Sequence, residues 1–73
     1  MWSVVLTLVG VEDAPFKVFD SMSEAEEFRD EVEKAMDDRR LIRFERNGRK
    51  YTVDGAHVAM VEMYQAYRGE KIW

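Results

Sequence analysis

His57 is the only histidine in the chain, and there is no cysteine. A zinc site draws three or four ligands from histidine, cysteine and carboxylates. Asp54, His57 and Glu62 lie near one another in sequence, but their spacing matches no ligand pattern, so no metal or other cofactor is expected. Nucleophilic catalysis needs a nucleophile, a base and a group that holds the base. Ser3, Ser21 and Ser23 are the only serines, and the last two sit where helix caps belong. Gly10, Gly48, Gly55 and Gly69 are scattered, so no glycine-rich loop exists to cradle a phosphate. These absences point away from an enzyme.

The richer chemistry is cationic. Arg39 to Lys50 carries six bases against Glu45 alone. Within it, Arg43, Arg46, Arg49 and Lys50 flank the dipeptide Asn47-Gly48 and form a candidate anion or nucleic-acid site. The rest of the chain opposes that reading. Glu12 to Asp38 holds eleven acids and three bases, and the whole chain carries a net charge of −4. A net negative charge works against non-specific binding to a polyanion, so nucleic acid is the less favoured partner. The acidic helix supports a third reading. Glu24, Glu27, Asp30, Glu31 and Asp38 could mimic phosphates and occupy a basic groove on a target protein, although acidic helices usually serve solubility.

The elements that position these groups follow from periodicity. Trp2 to Val9 reads as a strand with Trp2, Val4, Leu6 and Leu8 on one face and Ser3, Val5, Thr7 and Val9 on the other. Apolar residues on both faces mark a central strand. Gly10 to Pro15 is a loop, and Phe16 to Asp20 a second strand, antiparallel to the first. Ala25, Phe28, Val32, Ala35 and Met36 recur at helical spacing, so the helix runs from Ser23 to about Asp38. Ser23 with Glu26 forms a capping box, and Ser21 with Glu24 offers the same box earlier.

Asn47-Gly48 between alternating runs is a type I′ hairpin signal, because both central residues need positive φ. A two-residue loop there sets Arg46 opposite Arg49, Glu45 opposite Lys50, Phe44 opposite Tyr51, Arg43 opposite Thr52 and Ile42 opposite Val53. Ile42, Phe44, Tyr51 and Val53 then share the core face, and Glu45–Lys50 forms an exposed ion pair. Asp54-Gly55 repeats the signal. It would turn the chain into a third meander strand from His57 to about Tyr64, with Tyr51 opposite Val58. Strong helix formers between Ala56 and Ala66 leave a helix as the alternative, capped by Asp54 and ended by Gly69.

The expected architecture is α+β: an antiparallel sheet of four to five strands with one helix on one face, in the order ββαβββ, or ββαββα in the alternative. With 73 residues, the chain is expected to form a single domain, residues 1–73. No stretch approaches the roughly 20 apolar residues of a membrane helix. No basic leader precedes the apolar start, and a cytoplasmic protein without a membrane partner is expected. A core this small supplies only about 3–5 kcal/mol, and no disulfide can reinforce it. One helix covers one sheet face. Trp2, Val5, Val9, Tyr64, Tyr67 and Trp73 are therefore expected to form a contact surface. The preferred reading is a small non-enzymatic binding or adaptor module whose partner is another copy of itself, another protein, or both.

Overall fold

The computed structural model describes residues 1–65. Five strands and one helix follow in the expected ββαβββ order: β1 (Trp2–Leu8), β2 (Phe16–Phe19), α1 (Met22–Asp38), β3 (Leu41–Arg46), β4 (Arg49–Asp54) and β5 (Val58–Gln65). The fold is α+β and every strand pair is antiparallel. The strands divide into two sheets. One has the order β2-β1-β5, and the other is the β3-β4 hairpin. β1 is central, as its two apolar faces require.

The α1 stripe makes the core. Ala25, Phe28, Val32 and Ala35 are buried against Val4 and Leu6 of β1, Val58 of β5, and Ile42, Phe44 and Val53 of the hairpin. The Phe28 ring packs edge-on against Phe44 at 5.4 Å and tilted against Phe19 at 5.5 Å. These contacts tie the helix to both sheets. The helix begins one residue earlier than its apolar stripe implies. Ser21 is the cap, and its Oγ accepts from the Glu24 N–H at 3.1 Å. The earlier of the two candidate serines is therefore the cap. At the other end Arg39 takes the left-handed conformation (φ 56°) and its N–H bonds the Ala35 carbonyl.

The hairpin has the register that Asn47-Gly48 dictates, from Ile42 opposite Val53 to Arg46 opposite Arg49. Both turn residues have positive φ, 51° and 76°. Glu45 and Lys50 face each other across the ladder, but they do not close an ion pair. Instead the Glu45 carbonyl accepts from Lys17 Nζ of β2 at 2.9 Å.

The second glycine turn behaves differently. The segment after it is a strand, as preferred, but it does not continue the meander. Asp54 Oδ1 accepts from the Ala56 N–H, and a 3-10 turn, Gly55–His57, carries the chain away from β4. β5 then pairs with β1, with Trp2 opposite Gln65 and Leu6 opposite Val61. Tyr51 and Val58 are not partners. Gly55 has no positive φ. It is glycine because it lies against the end of α1: its N–H donates to the Arg40 carbonyl at 2.8 Å, and a Cβ would collide with backbone there. The physical reason for the rerouting is β1. A strand apolar on both faces needs a neighbour on each edge, and β2 supplies only one.

Candidate functional site

The hairpin end is where polar chemistry gathers. Alternation along β3 puts Arg46 on the same side as Ile42 and Phe44, so its long side chain starts at the rim of the core. Its guanidinium carbon lies 3.9 Å from the centre of the Phe16 ring, and Nη2 donates to the Tyr51 hydroxyl at 2.9 Å. Tyr51 in turn stacks on Phe44, with ring centres 5.0 Å apart. Arg46 is thus held by an aromatic face and a phenol oxygen, and its Nε is buried without a partner. Arg49 is exposed across the ladder from Arg46. The hydrogen bond from Arg46 holds the Tyr51 hydroxyl below the ordinary phenol pKa against the opposing effect of burial, and the charge of Arg46 and the approach and charge of Arg49 add to the lowering.

These groups line an open cleft of about 960 Å³ between the hairpin and the loop joining β1 to β2. Leu8, Pro15, Phe16 and Val53 give it apolar walls, and Glu12 and Asp13 lie along the loop side. Among the described residues, no carboxylate comes within ion-pair distance of Arg46 or Arg49.

The four expected cations do not form one site. Arg46 and Arg49 line this cleft. Arg43 and Lys50 project from the opposite face and border a smaller depression with Phe44, Glu45, Tyr51 and Thr52. The other candidate group is equally quiet. His57 Nδ1 lies 3.2 Å from Asp54 Oδ2, and no three potential metal ligands converge among the described residues.

The residues of the expected contact surface differ in exposure. Trp2 is half-buried and packs against the core on the helix side. Val5 is on the opposite face but only 7% exposed, with Phe16 of β2 and Glu62 of β5 as its cross-strand neighbours. Val5 therefore offers almost no surface to a partner, and Trp2 only part of its own. Val9 (63% exposed) and Tyr64 (38%) offer more. Tyr67 and Trp73 lie outside the described residues. Met60, 46% exposed and on the same sheet face as Tyr64, was not foreseen. Phe16 and the Tyr51 hydroxyl were also missed as partners of Arg46. Their signal was the mismatch of an arginine at a core-side position of β3, which demands something to receive it.

The edges of the larger sheet differ sharply. β2 has four residues, contains Lys17 and follows Pro15, all of which discourage further strand pairing. β5 has eight residues, Glu62 as its only charge, and no proline or lysine. Among the described residues its outer edge has no strand beside it. No helix among them is long and apolar enough to cross a membrane. No protein-family model and no curated protein matches the chain.

Proposed function

We propose that this protein is a small non-enzymatic binding module that acts through protein–protein contacts as a homo-oligomer, with β5 as the contact element. The outer edge of β5, which no strand covers among the described residues, carries this reading. An edge strand presents a row of N–H and C=O groups that only another extended backbone can satisfy in register. A two-fold axis perpendicular to the sheet brings β5 of a second copy alongside, antiparallel, and turns two three-stranded sheets into one of six strands. With the axis at Glu62, Met60 of one copy meets Tyr64 of the other across the seam, on the sheet face that also carries Phe16 and Val18, and the two Glu62 side chains face each other at the cost of some repulsion. Small size supports the same conclusion. A core worth about 3–5 kcal/mol is commonly reinforced by association when no disulfide can form, and this chain has no cysteine.

Light scattering at micromolar concentration tests the proposal. The expected mass is about twice the monomer's 8.6 kDa. The double variant Met60→Lys, Tyr64→Lys places charge on an exposed face of the seam, and it is expected to give a folded monomer. A wild-type mass equal to the monomer would overturn the proposal.

A further inference from the structure

We propose that the cleft between the hairpin end and the β1–β2 loop binds a single oxyanion, a phosphate or a carboxylate, carried on a small molecule with an apolar body. The ladder fixes Arg46 directly opposite Arg49, and like charges so placed repel. No carboxylate among the described residues neutralises either guanidinium. Part of that uncompensated charge is already organised. Stacking on Phe16 and the bond to Tyr51 hold the Arg46 fork in one orientation, so little side-chain entropy remains to be lost on binding. Arg46 keeps N–H groups beyond the one given to Tyr51, Tyr51 keeps its own O–H, and Arg49 is exposed beside them. Guanidinium groups and a hydroxyl at one wall are donors suited to an oxyanion. The apolar walls, Leu8, Pro15, Phe16 and Val53, suit a compact hydrocarbon or ring attached to it. The cleft volume falls within the range of small-ligand sites.

Glu12 and Asp13 set the limit of the site. They lie on the loop side of the same cleft and repel any ligand whose negative charge extends beyond the arginine wall. One anionic group is accommodated. A nucleic-acid backbone, with a charge at every step, is not. This separates the cleft from a general polyanion surface and makes no use of Arg43 or Lys50.

The test is a heteronuclear NMR titration of the full chain at low salt with phenyl phosphate, benzoate, neutral benzamide and a short single-stranded oligonucleotide. Phenyl phosphate, benzoate or both are expected to shift the backbone amides of residues 49–53 and of the 11–16 loop, and whichever binds identifies the head group. Arg49→Gln, at an exposed position, is expected to weaken binding about tenfold, the scale of one charge-assisted hydrogen bond. Tyr51→Phe is expected to weaken it about threefold. No shift with either anion at millimolar concentration would overturn the proposal. So would equal binding of benzamide, unchanged affinity in Arg49→Gln, or an oligonucleotide that binds more tightly than both anions. The oligomeric state does not enter these readouts, so the fate of the β5 seam is decided separately.

Discussion

Replacing Gly55 by alanine tests the reason the chain leaves the hairpin where it does. At a position with ordinary φ, glycine to alanine normally stabilises a protein by about 0.4–1 kcal/mol, because the unfolded chain loses freedom. Gly55 has ordinary φ, yet the opposite sign is expected. The added Cβ would sit 2.6 Å from the Arg40 carbonyl oxygen and closer still to that of Ala35. Relaxed carbon–oxygen contacts lie at about 3.3–3.6 Å. Neither oxygen can swing aside. Ala35 O already receives the Arg39 and Arg40 N–H groups that close the helix, and Arg40 O receives Gly55 N–H. Overpacking of this kind costs about 1–3 kcal/mol. Displacing the turn also strains the Gly55–Arg40 hydrogen bond, whose loss adds about 1–3 kcal/mol if its N–H stays buried. After the unfolded-state gain is subtracted, a net loss of about 3 kcal/mol is expected. That is most of what a core this size supplies, about 3–5 kcal/mol. Urea unfolding followed by circular dichroism measures it. Gly48→Ala is the comparison: φ there is +76° and nothing lies within 4 Å of the new carbon, so only the left-handed penalty of about 1–2 kcal/mol applies. A Gly55→Ala protein as stable as the parent, or no worse than Gly48→Ala, would refute the close-approach argument.

Two further outcomes follow from the same geometry. Ser21→Ala should cost about 1 kcal/mol in a urea melt and Ser23→Ala well under half of that, because only Ser21 Oγ caps the helix; equal losses would place the cap elsewhere. Tyr51 should ionise below an ordinary phenol, and since its folded pKa lies below the unfolded one, its contribution to stability grows as pH rises through the folded value and is complete above the unfolded value. Phenolate absorbance of the parent minus that of Tyr51→Phe gives the folded pKa directly, Arg46→Gln should raise it, and a midpoint at or above the unfolded value would contradict the hydrogen bond.

The parts of this fold readable in the sequence are those decided by neighbours in the chain. Ala25, Phe28, Val32 and Ala35 are buried as their spacing demands, because a helix's own periodicity selects the face. Asn47-Gly48 delivered its register because positive φ at both positions is a local property. Asp54-Gly55 looks the same on paper and is not. A glycine is required either where φ is positive or where another backbone passes too close for a Cβ, and a dipeptide does not distinguish the two. At Gly55 the deciding atoms belong to Ala35 and Arg40, twenty and fifteen positions earlier. The partner of β5 was hidden for the same reason. Its alternation is weak, and the need it meets belongs to β1, fifty or more residues away.

The hairpin end shows how far that distinction carries into function. Placing Arg46 opposite Arg49 follows from the turn alone, and the mutual repulsion follows from the placement. What the fold does about it does not. Phe16, from a strand thirty residues earlier, receives the Arg46 guanidinium, and Tyr51 takes one of its hydrogens. Arg46 therefore has a structural reason to be arginine: its fork covers an aromatic ring at the core rim. Arg49 also reaches toward the Tyr51 hydroxyl, but it covers no ring, and among the described residues no carboxylate pairs with it. It is exposed, forms no ion pair, and adds positive charge where one guanidinium already stands. A neutral residue there would relieve the repulsion and favour the folded monomer. Arginine at that position costs stability in isolation, and an anion held between the two side chains would convert the same repulsion into a binding site.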